Sequence, residues 1–418
     1  MRIAVIGTGI SGLVASYLLA REHEITVFEA GDYVGGHTST VTVDLGAGPC
    51  PVDTGFIVFN HRTYPGFTRL LAHLGVRSQP SQMSFSVQCE RTGIEWSSRA
   101  LFAQPRNLAR PAFLAMLVDI VRFYRTAPRL VREPGSELTV RDYLRRTRLS
   151  ASFVDHYLVP LGASMWSCAP HAFLDFPMRF LVRFMENHGM LSLTDVPTWR
   201  TIEGGSQRYV EALTRGFRDR IRLRTKVVSI ERHADRVELV IDRGDRGAGS
   251  AGLATFDHVV VACHSDQALA MLADPSPIER EVLAAIPYQT NDVVLHTDVS
   301  LLPRSRRAWA SWNYHVPAGD RDSAVLTYNM TILQRLRAPQ VACVTVNDPG
   351  RIDPAKILRR FRYHHPVFKL DTPRMQAMHE RLIHHRRTSY CGAYWGFGFH
   401  EDGVQSALAV ARAFGLAL

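Results

Sequence analysis

The chain opens on a short apolar run, Ile3 to Ile6, broken by Gly7-Thr8-Gly9-Ile10-Ser11-Gly12. A longer stretch, LVASYLLA, is apolar on nearly every side, and a second short run, ITVFEA, ends on Glu29. Short apolar runs bounded by glycine predict buried strands, and the longer one predicts a helix between them. Farther on, Val41–Val43 with Val52–Thr54 predicts a short hairpin, 65–74 a helix, and the alternating stretch 82–96 a hairpin turning at Thr92-Gly93. From about 100 to 195 the pattern is mostly helical, with breaks expected at Pro105, Pro128, Pro134, Pro160, Pro170 and Pro177. After Gly204-Gly205-Ser206 come a helix (RYVEALTRGF), strands over 222–242, a loop rich in Gly, Ala and Arg at 243–254, and a strand at 258–263. Residues 280–385 mix strands such as VVLHTD and AVLTYNM with a helix starting near Asp353-Pro354. The end, 389–418, reads strand, loop, helix.

The first β-α-β unit carries its own chemistry. Gly7 permits a tight turn out of the strand. Gly9 lets a pyrophosphate approach the backbone, and Gly12 lets the helix sit close on the sheet. The helix start offers N–H groups to phosphate. Glu29 ends the second strand, placed to accept hydrogen bonds from ribose hydroxyls. A dinucleotide ligand follows. An acid at position 29 would repel a 2′-phosphate, which argues against NADP and leaves NAD and FAD open.

A chain of 418 residues exceeds one compact core. The pattern predicts a discontinuous arrangement: a nucleotide domain from 1–80, 200–275 and 385–418, and a substrate domain from 81–199, mostly helical, and 276–384. Six cysteines without CxxC spacing suggest reduced thiols and a cytoplasmic protein. The first strand follows Met1 too closely for a signal peptide, and no apolar run is long enough to span a membrane. Net charge is +10, yet only three lysines occur, so arginine carries the excess. No basic tract interleaved with aromatics is present, which excludes a nucleic-acid partner. Residues 110–132, RPAFLAMLVDIVRFYRTAPRLVR, form an apolar helix edged by arginine. That composition suits either a domain-covering helix or peripheral contact at the inner face of a membrane.

AVIGTGISGL, VFEA with Gly35-Gly36-His37, Lys226-Val227-Val228, FDHVVVAC at 256–263 and the C-terminal glycine motif together resemble the FAD-dependent amine oxidase and phytoene desaturase superfamily. DTGFIVFN at 53–60 with Tyr64-Pro65, NHGML at 187–191, EGGSQRYV at 203–210 and GFHEDG at 398–403 resemble more closely bacterial NAD/FAD-binding proteins associated with cyclopropane-fatty-acid synthase-like methyltransferases. The resemblance implies an α/β fold: a Rossmann-type FAD-binding domain with an inserted α+β substrate domain. It implies non-covalent FAD, held at Gly7, Gly9, Ser11, Gly12 and Glu29, at Gly36 and His37, at Gly55 and Phe56, at Val228, at Gly392, and at Glu401, Asp402, Gly403 and Val404. Amides at the starts of the first and last helices are expected to meet opposite ends of the nucleotide. His37 stands where many relatives carry arginine. That weakens the phosphate contact unless its imidazole donates.

Candidate polar residues for chemistry are Asn60, His61, His188 and Tyr394. No Ser–His–Asp or Cys–His arrangement has assignable spacing, and no metal is expected because the paired histidines lack a third ligand. By the resemblance, the expected reaction is dehydrogenation, reduction or isomerisation of a lipid-like acyl chain. Amine oxidation is the alternative, although three lysines leave few to hold a water near a flavin. A third reading is a FAD-binding partner of a lipid methyltransferase without turnover of its own.

Overall fold

Alternation within one five-residue strand sets the architecture. In Arg2–Ile6, Ile3 and Val5 point into one apolar cluster and Ala4 and Ile6 into another, so the strand is buried on both faces. Ile3, Val5 and Ile6 each contribute about 1.5–3 kcal/mol on burial. The strand is central in a parallel sheet ordered Ile221–Arg222, Glu24–Phe28, Arg2–Ile6, His258–Val261, Thr388–Tyr390. The structure, a computed structural model, describes residues 1–132, 137–192, 194–243, 251–319, 325–348 and 350–418.

On one face lie the helices Ile10–Leu19, Pro65–Leu74, Gln207–Thr214 and His400–Ala413. The first is buried at nine of its ten positions, which its all-round apolar sequence requires. On the other face lie an antiparallel sheet of Thr225–Arg232, Val237–Arg243 and Ala251–Phe256 and the helix Pro277–Ala284. Between these layers the fully buried Arg232 guanidinium donates to both carboxylate oxygens of Glu279, and the Tyr390 hydroxyl donates to Glu279 Oε1 at 2.6 Å. That cluster ties the small sheet, the helix start and the last strand together.

A second, seven-stranded sheet is built from Phe85–Cys89, Glu95–Ser97, Tyr288–His296, Trp312–Val316, Val325–Asn329, Cys343–Val346 and Ile357–Pro366. Helices from 105 to 187 cover one part of it in an aromatic-rich core. The hairpin Thr40–Asp44/Pro49–Asp53, expected with the nucleotide domain, packs Leu45 and Val52 against Val293, Leu295 and Val344 of this sheet.

Three local expectations are corrected. Pro160 does not interrupt its helix: the path continues from Ala151 to Trp166 through a π-turn at Val154–Leu158, whose wider winding accommodates a residue lacking an N–H. The helix expected near Asp353-Pro354 is one 3₁₀ turn, Pro354–Lys356, and Ile357–Pro366 is a ten-residue strand paired with Tyr288–His296. Ala251–Phe256 is a strand rather than loop, whereas 244–250 of the expected loop and Pro134 lie outside the described residues. Among the described residues no helix is long and apolar enough to cross a membrane.

Candidate functional site

A cavity of about 1150 Å³ runs between the two sheets, from the glycine turn at Gly7–Ser11 to the aromatic core of the helical segment. Its nucleotide end is built by the first turn. Gly7 adopts φ +103 and donates its N–H to Phe28 O at 2.8 Å. A Cβ at Gly12 would lie 2.0 Å from Gly7 O, so Gly12 is a packing glycine beneath the turn. A Cβ at Gly9 would meet nothing within 4 Å, which leaves the backbone open to a ligand. Gly9 is also the N-cap of Ile10–Leu19, so the first-turn amides have no helical acceptor. The Glu29 carboxylate accepts from Thr8 N at 2.9 Å, Thr8 Oγ1 at 2.5 Å and Gly31 N at 2.8 Å, which holds it at the cavity wall. Val228 and Lys226 line the same end.

Gly36, His37, Gly55, Phe56 and Gly392 also line the cavity. The last helix does not contribute as expected. Glu401 accepts from Gly66 N at 2.8 Å and Phe67 N at 2.9 Å, so its carboxylate caps the helix Pro65–Leu74. Asp402 accepts from Phe399 N at 2.8 Å and caps its own helix. Burial raises its pKa to about 7. Val404 is wholly buried in the core. A Cβ on Gly403 would lie 2.7 Å from Ile10 Cγ2 and 2.9 Å from Ser11 Oγ. The starts of the first and last helices therefore sit side by side, not at opposite ends of a long ligand. The residues that do line the cavity there are Gly398, Phe399 and His400. The His400 ring stacks on Phe56 with centroids 3.6 Å apart, and its Nε2 shares a hydrogen bond with Tyr209 Oη at 2.8 Å.

The four candidates for chemistry divide. Asn60 accepts from Arg62 N and Thr63 N and donates to Thr63 Oγ1, so it shapes the turn before Pro65 and does not line the cavity. His61 is exposed and also outside the lining. His188 and Tyr394 both line the cavity. His188 Nδ1 lies 2.9 Å from Phe184 O and must carry the hydrogen, which leaves Nε2 as an acceptor.

Sequence reasoning missed a polar group built by the strand it took for helix. On Ile357–Pro366, Tyr363 and His365 share a face. They sit beside Asn291 and Gln289 of the neighbouring strand, since Tyr363 pairs with Asn291 and His365 with Gln289. Asn291 is completely buried. Its Oδ1 accepts from Asn347 Nδ2 at 2.8 Å and Gln289 Nε2 at 3.4 Å, which turns its Nδ2 to donate to His365 Nδ1 at 2.9 Å. His365 Nδ1 is thereby an acceptor and the proton rides on Nε2. The ring lies 5.4 Å from that of His37, and His264 stacks on Tyr288 at 4.3 Å. The alternating pattern of ILRRFRYHHP was the available signal for this strand.

These imidazoles are neutral. Burial, then the neighbouring histidines, lowers His37 and His264 to about 4 and His365 to about 3. Burial lowers His188 and His296 to about 4 and His258 to about 3. His37 therefore does not supply the cation that arginine would. An unfolded histidine titrates near 6.5, so between about 4 and 6.5 the unfolded chain binds more protons, and stability is lost as pH falls through that window. Asp53 and Asp402 act oppositely. Burial raises them to about 6 and about 7, so they lose stabilisation as pH rises above about 4. The histidines outnumber them, so acidification from about pH 7 to 5 is expected to cost roughly a few kcal/mol. Thermal melting across that range checks it, and a Tm that climbs on acidification would contradict the assignment of neutral rings.

The cavity suits a dinucleotide. Its polar wall includes buried atoms with no partner among the described residues, His37 Nε2, Trp312 Nε1 and Tyr394 Oη, together with the open face at Gly9. The wall contributed by the helical segment is largely apolar: Leu117, Ile120, Tyr124, Tyr157, Leu161 and Met165, with the two tyrosine hydroxyls paired to each other at 2.7 Å. Among the described lining residues Glu29 is the single carboxylate and Lys226 the single lysine, both at the nucleotide end. Lys356 pairs with Asp298 at 3.5 Å, and Lys369 is exposed.

Known proteins share this architecture. The family model described as flavin containing amine oxidoreductase matches residues 10–306. A Mycobacterium tuberculosis protein provisionally named flavin-containing monoamine oxidase AofH is 27% identical over 301 residues, 68% of this chain and 61% of that relative. The match thus spans about three-fifths of the relative's length. Cyclohexylamine oxidase from Brevibacterium oxydans superposes with a TM-score of 0.67 at 16% identity, covering 99% of each chain. A CLA-producing fatty acid isomerase from P. acnes superposes with a TM-score of 0.66 at 17% identity, covering 99% of this chain and 98% of the other. At these identities the solved structures speak for the fold.

Proposed function

Because this chain belongs to the flavin-containing amine oxidoreductase family, we propose that it is a non-covalent FAD-dependent oxidoreductase acting on an apolar acyl chain, which it dehydrogenates, reduces or isomerises. The observation that carries this reading is the character of the cavity wall contributed by the helical segment. An alkylammonium ion there would find no carboxylate among the described lining residues, whereas a hydrocarbon would be surrounded by aliphatic and aromatic carbon.

The turn Gly7–Ser11 would hold the pyrophosphate and Glu29 the adenosine ribose, with Gly36, His37, Phe56 and His400 along the remainder. Bound FAD supplies two-electron exchange with a carbon–hydrogen or carbon–carbon bond, and the protein orients both partners. His365, locked by Asn291, presents a neutral Nε2–H donor, and His188 presents a neutral Nε2 acceptor. The aromatic wall excludes water from the reacting chain.

Amine oxidation is the second reading, favoured by the names of AofH and cyclohexylamine oxidase. Against it, none of the three lysines lies at the apolar end of the cavity. Anaerobic titration of the flavin-loaded protein separates the two. We expect a monounsaturated fatty acid to bleach the flavin band or to be converted to a shifted double bond, and a primary alkylamine to do neither. Bleaching by the amine, with fatty acids inert, would overturn the acyl-chain reading. If neither acts, a role as a non-turning partner of a lipid methyltransferase takes its place.

A further inference from the structure

Among the described residues, six of the fourteen exposed large apolar side chains lie between residues 101 and 121: Leu101, Phe102, Leu108, Leu114, Val118 and Val121. The helix Pro111–Thr126 buries Phe113, Met116 and Phe123 on its inner side. It leaves Leu114, Val118 and Val121, spaced i, i+4, i+7, as an outward stripe. Val118 is 67% exposed. This stripe is continuous with the cavity, since Leu101, Val121 and, from another segment, Val196 are each exposed and part of the cavity wall. The apolar arm of the cavity therefore opens through the apolar patch.

The charge carried by the segment that forms the patch is one-sided. Between residues 99 and 132 the sequence holds seven arginines and one acid. The acid, Asp119, is buried and accepts from Ser150 N at 2.8 Å. Arg99, Arg106, Arg122, Arg125, Arg129 and Arg132 are exposed. Arg122 and Arg125 continue the stripe one turn beyond Val118 and Val121. Among the described residues none of these arginines forms an ion pair within the protein, although Arg106 donates to Gly93 O.

We propose that this patch is a docking surface for an anionic phospholipid bilayer, which places the cavity mouth among acyl chains so that substrate enters without crossing water. Aliphatic side chains would enter the headgroup boundary while the arginines meet lipid phosphates. A second copy of the chain fits less well, because a two-fold contact through this patch would set like-charged arginine clusters against each other. The inference deepens the acyl-chain reading and rests on it for the meaning of the entrance, but its test is separate.

The flavin-loaded full chain is sedimented with vesicles of phosphatidylcholine alone and of phosphatidylcholine mixed with phosphatidylglycerol. We expect co-sedimentation with the anionic vesicles, weakened by salt. Val118→Asp is expected to reduce partitioning by roughly tenfold or more, and Arg122→Gln and Arg125→Gln by about fivefold each. All three positions are exposed, and unchanged thermal melting of each variant confirms folding. Absence of vesicle binding by the unsubstituted protein overturns the proposal. So does binding that Val118→Asp leaves intact, or a dimer that Val118→Asp dissociates while vesicles are ignored. A short-chain unsaturated fatty acid in vesicle-free buffer keeps the two ideas apart. A flavin response there without vesicle binding sinks the docking surface alone, and vesicle binding without a flavin response sinks the acyl-chain reading alone.

Discussion

Gly9→Val is expected to fold normally and lose FAD by on the order of 100-fold in affinity. The physical basis is a contrast between two glycines three residues apart. Gly9 has φ −64 and ψ 174, which any residue adopts, and a Cβ there meets nothing within 4 Å because it projects into the cavity. Added carbon would thus displace ligand, not protein. Gly12→Ala should do the reverse. Its methyl would stand 2.0 Å from Gly7 O and 3.1 Å from the Ala262 methyl inside the close-packed layer. Stability should fall by about 1–3 kcal/mol or more, with flavin loss secondary to that. Flavin titration and chemical denaturation of the ligand-free proteins measure the two effects. Equal affinities for Gly9→Val and the unsubstituted chain would remove the glycine turn from the cofactor site.

Glu279→Ala should be the most destabilising single substitution among those considered, at about 3–5 kcal/mol. Burial pushes this carboxyl up, but hydrogen bonds from Arg232, Tyr390 and Ser276 outweigh it and hold the group at about 2. Removing it leaves the Arg232 guanidinium, with its side chain 1% exposed, lacking its main counter-charge, although Asp274 still accepts from Arg232 Nε at 3.0 Å. It also strands the Tyr390 hydroxyl. Because Tyr390 directly precedes Cys391-Gly392, the cavity wall should loosen with the core. The double substitution Arg232→Met/Glu279→Leu removes both charges and should recover most of the loss, since a buried pair adds little beyond what matched apolar residues provide. Urea denaturation of the single and double variants decides this. A double variant as unstable as Glu279→Ala would mean that packing, not charge, holds this junction.

Where local pattern and tertiary role coincide, the sequence was sufficient. The glycine turn, Glu29 at the end of its strand, and the hairpins read at 41–54 and 82–96 follow from runs, glycines and alternation. The errors share another cause. Glu401 and Asp402 have the residue types and position of ligand contacts at a helix start, yet an acid there caps whichever helix start is nearer, and for Glu401 that is Pro65–Leu74. Asn60 and His61 belong to a conspicuous phrase, but its side chains serve a turn and the surface.

The sequence by itself determined the β-α-β unit, the dinucleotide and the family resemblance, because phosphate binding at a helix start is encoded within some thirty contiguous residues. Only the tertiary structure decided which polar groups face the cavity, that Asn291 locks His365, and that the arginine-edged helix flanks the mouth of the cavity's apolar arm. Those facts depend on pairings between residues far apart in the chain. Hydrogen-bond direction and burial arise from those pairings, and no local pattern carries them.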